Sequence, residues 1–279
     1  MKLAPDCYEC LRRLLCQAAD LATDDSSLKQ KATEEAKKIL DNKFSYSQLS
    51  IVIATKIHKI VREVTNNPDP YRAMKEREMT LARELYPELS FRYKDDLRGC
   101  LKLAAAANAI DFFREPGSIK DNIREPVRFV IDDSEQFEAK LKDVRKVLYL
   151  ADNAGELYFD LPLVKWMKQF AQVIYVVKPS PVQDDLTRED VRKSGLEGEF
   201  GKVISTGIAS PGVFFSSASA QFKQEFESAD LIFAKGMGHY EALSELTTEG
   251  KFFYCLMAKC KPVADSLGVP VNSYVAMLQ

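Results

Sequence analysis

A chain of 279 residues is long enough for one large domain or two smaller ones. Its balance of 46% hydrophobic and 29% charged residues is that of a globular protein in water. A net charge of -2 excludes the basic footprint of a nucleic-acid binder, while allowing a small local pocket for an anion.

No apolar run approaches the roughly 20 residues that cross a bilayer, so no membrane partner is expected. The N-terminus, Met1-Lys2-Leu3-Ala4-Pro5-Asp6, lacks the apolar stretch of a signal peptide. A cytoplasmic location is the expectation. Six cysteines are too sparse for a disulfide scaffold and read as free thiols or metal ligands. With only His58 and His239 present, a metal would be held mainly by carboxylates, amide oxygens or thiolates.

Residues 1 to about 115 read as a helical N-terminal domain. Cys7, Leu11, Leu14, Leu15, Ala18 and Leu21 recur at helical spacing, with Asp6 placed to cap the start. A second stripe, Leu28, Ala32, Ala36, Ile39 and Leu40, is opened by Asp25-Ser26. A third, from Leu49 to Val64, stops at Asn66-Asn67-Pro68-Asp69-Pro70, where two prolines forbid continuation. Tyr71 to Tyr86 and Asp95 to Phe113 complete the set. Residues 116–145 read as a linker and connecting helix.

From residue 146 to 279 the pattern becomes α/β. Apolar runs at 147–150, 173–177, 203–205, 231–234, 252–256 and 274–278 alternate with helix-length segments. Strands that are apolar throughout predict a mainly parallel sheet covered on both faces, an α/β/α sandwich.

Ligands of an open parallel sheet bind beyond the carboxyl ends of its strands. The residues just past four successive runs are rich in chemistry. They are Asp152-Asn153-Ala154-Gly155-Glu156; the stretch from Lys178 to Thr187 with Asp184 and Asp185; Thr206-Gly207 with Ser210-Pro211-Gly212; and Lys235-Gly236 with His239. Asp152, Asn153 and an aspartate of the neighbouring loop offer oxygen ligands suited to Mg²⁺ or Mn²⁺. Asp152 and Asn153 are equally the residue types that cap a following helix. Of Asp184 and Asp185, one is expected to meet the metal and the other to cap the helix near Thr187.

Lys235 could pair with a phosphate as a point charge, or be a solvated lysine at a strand end. Thr206, Gly207, Ser210 and Gly236 could line the phosphate, or form ordinary turns. His239 reads either as an acid or base or as a polar residue at a helix start. Asn108 and Asp111 face the site or cap a helix end. Cys7-x-x-Cys10 puts two thiols on one side of the first helix, with Cys16 further along; small buried residues are the plain alternative.

Taken together, these motifs resemble the damage-control phosphatases, a family with an acidic-residue-methyltransferase-like fold. The matching residues are Asp152-Asn153-Ala154-Gly155-Glu156 with Phe159-Asp160, Pro181-x-x-Asp184-Asp185-x-Thr187, Lys235-Gly236 with Tyr240-Glu241, and Lys259-Cys260. Cys7-x-x-Cys10 and Asn108-x-x-Asp111 resemble its first subfamily. The resemblance implies a metal (Mn²⁺, Ni²⁺, Co²⁺ or Mg²⁺) on Asp152, Asn153 and Asp185, and a small phosphorylated metabolite as substrate. It implies catalytic roles for Asp152, Glu156 and Lys235, with the base left between Asp152 and Glu156. Substrate contacts would come from Asn108, Asp111, Thr206, Gly207, Ser210, Lys235 and Gly236. Asp184 and His239 depart from the family pattern, which has asparagines there.

Three rivals remain in view. A phosphotransferase with an aspartyl nucleophile wants Asp-x-Asp after the first strand, where Ala154 stands. A carboxyl methyltransferase using S-adenosylmethionine wants a glycine-rich turn. A non-enzymatic thiol or metal-binding protein would be built on Cys7, Cys10 and Cys16.

Overall fold

The computed structural model describes residues 1–108, 123, 125–246 and 250–279. Its centre is a seven-stranded sheet in the order β1-β7-β6-β5-β2-β3-β4. The strands are β1 (Phe129–Asp132), β2 (Lys146–Leu150), β3 (Gln172–Val177), β4 (Lys202–Ser205), β5 (Leu231–Lys235), β6 (Phe252–Ala258) and β7 (Ser273–Leu278). All neighbours are parallel except β6 and β7. The fold is therefore the mainly parallel α/β sandwich that the apolar runs predict, with helices ahead of it.

Side-chain alternation along each strand sorts the core into two layers. Val147, Tyr149, Val173, Tyr175, Phe233 and Phe253 face one side, under the helix Leu157–Met167. Leu148, Leu150, Ile174, Val176, Ile232 and Tyr254 face the other, under the helices Ala220–Ser228, Gly236–Leu243 and Lys261–Leu267.

The N-terminal helices are α1 (Asp6–Ala22), α2 (Ser26–Lys43), α3 (Ser50–Thr65), α4 (Arg72–Ser90) and α5 (Leu97–Ala107). Asp25 caps α2, accepting from the N–H groups of Ser27 and Leu28 at 2.8 and 2.9 Å. Asp6 does not cap α1: it is the first helical residue, and Pro5 stands at the cap position. Helix α3 ends at Asn66 in the left-handed region, ahead of the two prolines.

Packing separates α1–α3, which share a small core of their own, from α4 and α5, whose Ala82, Leu85, Leu101 and Ala104 belong to the sheet core. Strand β1 and the helix Ser134–Leu141 lie inside the stretch expected as a linker. The first sheet residues thus precede residue 146.

Candidate active site

The loops after β2 and β3 are zipped together. Ala154 N–H donates to Asp184 O and Leu186 N–H to Asp152 O, both at 2.8 Å, making Asn153 and Asp185 an antiparallel bridge pair. This is the non-hydrogen-bonded type of pair, in which opposed residues approach most closely, with Cα atoms about 4.5 Å apart. The amide of Asn153 and the carboxylate of Asp185 are thereby placed opposite each other by backbone alone. Lys178 N–H donates to Leu186 O at 2.8 Å and ties the same loop to the end of β3.

The capping alternative for this loop does not hold. Asn153 precedes a short 3₁₀ turn, Ala154–Glu156, and makes no side-chain cap bond to it. Nor does Asp184 or Asp185 cap the helix Arg188–Ser194. Thr187 does so in a reciprocal pair with Asp190, accepting from Asp190 N–H at 3.2 Å.

Asn108, at the end of α5, reaches both acids of the first loop. Its Nδ2 donates to Asp152 Oδ2 at 3.1 Å and to Glu156 Oε1 at 2.8 Å, while its Oδ1 accepts from Met257 N–H at 3.0 Å. It is a buried bracket between α5, β6 and the loop after β2. Asp111 lies outside the described residues.

Lys235 does not reach outward. It is fully buried, with Nζ 2.5 Å from Glu156 Oε2, 2.7 Å from Asp160 Oδ1 and 2.9 Å from Ala104 O. Its hydrogen bonds go to Asp160 and Ala104, and its charge is also paired with Glu156. Burial alone would lower its pKa, but Asp160 and Glu156 outweigh that and raise it. Asp160 is anchored from behind by Tyr175 Oη at 2.9 Å. In this arrangement Lys235 is the counterion of Glu156, whose other oxygen accepts from Asn108.

Burial raises the pKa of Asp152 well above the usual carboxylate range, helped by the charges of Glu156 and Asp185. Burial likewise pushes Asp185 up to about 6, against the opposing pull of Lys178 and Lys75. Asp185 Oδ2 is buried with no hydrogen-bond partner. Two crowded carboxylates, one with an open buried oxygen, together with an amide oxygen, fit a hard divalent cation that keeps waters and takes substrate oxygens. Among the described residues no three His, Cys, Asp or Glu side chains group as metal ligands, so the fit depends on the Asn153 amide as the third donor.

Gly236 shapes the same space. It lies at φ 75°, and a Cβ there would stand 1.8 Å from Asp152 Oδ2. His239 is buried, with Nε2 3.0 Å from the carbonyl of Ala151. A carbonyl only accepts, so Nε2 carries the proton. Burial and the charge of Lys178 hold this ring well below its usual pKa, which makes it a neutral imidazole.

The third loop is committed to structure. Thr206 Oγ1 donates to Ile208 O at 2.9 Å, and the hydroxyls of Ser210 and of Thr55 in α3 lie 2.8 Å apart, with Thr55 also donating to Ile51 O at 2.6 Å. Gly207, at φ 81°, leaves no room for a Cβ beside Ser219. All six cysteines are free; Cys7 is half-buried, accepting from Ala4 N–H at 3.4 Å, and Cys10 is exposed. A cavity of about 430 Å³ lies where the chain ends meet, at Met1, Tyr240 and Gln279, and none of the expected site residues lines it. No described helix is long and apolar enough to cross a membrane.

Three contributors carry no assigned role in the sequence reading, although Asp160 and Lys178 fall within its motifs. Asp160 lies four residues after Glu156, so a helical turn brings them to one face; the spacing was visible. Lys178 directly follows an apolar strand, as Lys235 ends one. Arg62 of α3 donates to the carbonyl of Pro181 and braces the second loop, and nothing local in the sequence signals that contact.

The fold and these strand-end loops define a family. Residues 3–275 match the model of the damage-control phosphatase ARMT1-like domain, and the chain belongs to that family. It is similar to an uncharacterised protein of Methanocaldococcus jannaschii, 33% identical over 99% of this chain and 95% of that one. A damage-control phosphatase of Pyrococcus horikoshii is 31% identical over 99% of this chain and 98% of its own length. Another, of Archaeoglobus fulgidus, is 32% identical over 99% of both chains. The crystal structure of a DUF89 family protein from Pyrococcus horikoshii superposes with a TM-score of 0.90 at 30% identity, covering 100% of this chain and 99% of that one.

Two substitutions probe this geometry. Gly236→Ala forces a Cβ into the Asp152 carboxylate at a left-handed φ; it is expected to weaken Mn²⁺ binding by ~10- to 100-fold in a metal titration, the effect of disturbing a ligand's support. Lys235→Met leaves Glu156 and Asp160 buried without their cation. Its stability, read by denaturant unfolding, is expected to fall by about 3–5 kcal/mol. A loss below ~1 kcal/mol would contradict the clamp role.

Proposed function

We propose that the protein is a metal-dependent phosphatase that hydrolyses small phosphomonoesters. The family and the two relatives named damage-control phosphatases support the phosphatase part. The observation that carries metal dependence is the Asn153–Asp185 bridge with the open buried oxygen of Asp185 beside Asp152. We assign the metal to Asp152, Asn153 and Asp185, with Mn²⁺, Co²⁺, Ni²⁺ or Mg²⁺ as the candidates. A metal so held supplies positive charge to the phosphoryl oxygens and lowers the pKa of water for in-line attack.

The chain's own residues then divide the work. Asn108 holds the orientation of Asp152 and of Glu156 with one amide nitrogen. Glu156 is fully buried and ion-paired with Lys235. Asp152 is the less buried of the two acids and is assigned the role of receiving the water's proton. The rivals weaken on chemistry: the 3₁₀ turn after Asp152 presents Ala154 where a second aspartate would be needed, and it carries a single glycine.

Asp185→Asn is expected to lower turnover of a generic phosphomonoester with Mn²⁺ by about 100-fold or more. Undiminished turnover would remove Asp185 from the centre. The pH dependence comes from the raised pKa. A carboxylate that binds its proton more tightly when folded favours the native state below its unfolded value of 3.8, and loses that advantage as pH rises to about 6. Above pH 6 the charged acids repel one another unless a cation lies between them. Saturating Mn²⁺ is therefore expected to raise Tm more at pH 8 than at pH 5. Equal shifts at both would contradict this.

A further inference from the structure

Three lysines are buried among the described residues: Lys75, Lys178 and Lys235. Two are matched to acids. Lys75 lies 3.3 Å from Asp69 and 3.4 Å from Asp190. Lys235 lies against Glu156 and Asp160. Lys178 is different. It is 1% exposed, its Nζ donates to the carbonyl of Gly212 at 2.9 Å, and no carboxylate lies within ion-pair distance among the described residues. Two of its three donors are unfilled. A buried cation in that condition is costly unless something else completes it.

Its position says what that partner would be. Strands β5 and β3 flank β2, and Leu150 is in register with both Ala234 and Val176. Lys235 is therefore one residue past that level, on the face of Val177, and Lys178 two residues past it, on the face of Val176. Alternation sends the two side chains to opposite faces of the sheet. Lys235 goes under α5 and the helix Leu157–Met167. Lys178 goes toward the loop of Gly212, which packs against the backbone of Gly238 at the start of the next helix. The charge of Lys178 acts on Asp152, Asp185 and His239, so it stands among the proposed metal ligands without being paired to either acid.

We propose that Lys178, not Lys235, is the lysine that binds the phosphoryl group of the substrate. The free donors of Lys178 complete themselves on phosphoryl oxygens, and Gly212 O holds the side chain in place between turnovers. This rests on the phosphatase reading above. The ligand class is a phosphomonoester dianion, with inorganic phosphate as its simplest member.

The test is calorimetric titration of inorganic phosphate into the 279-residue chain loaded with Mn²⁺, comparing the unaltered protein with Lys178→Met and Lys178→Gln. Thermal unfolding and Mn²⁺ affinity are measured in parallel. Glutamine can still donate to Gly212 O, so it keeps the local structure while removing the charge. Both variants are expected to bind phosphate ~10- to 100-fold more weakly, the loss of charge-assisted hydrogen bonds. Mn²⁺ binding should hold or tighten, because a positive charge beside Asp152 and Asp185 has been removed. Phosphate affinity unchanged in both variants overturns the assignment and leaves the metal centre standing. Parallel loss of Mn²⁺ and phosphate affinity in Lys178→Gln overturns it in favour of a structural role. If the unaltered protein binds no phosphate with or without Mn²⁺, the assignment and the phosphatase reading fall together.

Discussion

The site depends on two backbone hydrogen bonds. Ala154 N–H to Asp184 O and Leu186 N–H to Asp152 O close a one-pair ladder between loops that leave neighbouring parallel strands. Parallel strands cannot be joined by a tight turn, so 150 and 177 are separated by a helix in sequence and by one strand spacing in the fold. The ladder turns that closeness into register. Backbone groups that would otherwise be buried and unpaired satisfy each other, and Asn153 and Asp185 are set face to face as a by-product.

Behind this front lies a second layer of charge. Lys235, Glu156, Asp160 and Tyr175 form a closed set with almost no exposure, and Asn108 links it to Asp152. Burying such groups costs more than burying apolar ones of the same size. The arrangement makes sense as orientation. Lys235 sits against Glu156 and Asp160, and Asn108 orients Asp152 at the edge of this set, so Asp152 is the less buried of the two acids of its loop. Helix α5 supplies both the Ala104 carbonyl and Asn108 to this web, which is why it packs in the sheet core with α4 and not with α1–α3.

Much of this was legible in the residues. The apolar runs located the main strands, and the short polar stretch at the end of each run gathered Asp152, Asn153, Asp185 and Gly236 from sequence alone. Periodicity found the helices. The features that stayed hidden required knowing which face a side chain takes or which element lies across the fold. Lys235 and Lys178 look alike in sequence, and a one-residue difference in register sends them to opposite faces. Thr206 and Ser210 read as phosphate ligands in sequence, whereas in the fold Thr206 donates its hydroxyl to Ile208 O and Ser210 pairs with the hydroxyl of Thr55. Strand β1, Phe129-Val130-Ile131-Asp132, is only four residues long and partly exposed, and it pairs only with the final strand, so its brief apolar run does not stand out as a buried strand would. Cys7 and Cys10 fit a helix face, and the site draws on neither.

The most direct measurement is a crystal structure of the protein grown with Mn²⁺, with anomalous scattering recorded to locate the ion. One Mn²⁺ within about 2.0–2.3 Å of oxygens from Asp152, Asn153 and Asp185 is the expected result. Strong anomalous density elsewhere, at the thiols of Cys7 and Cys10 for instance, with none between the two zipped loops, would contradict it.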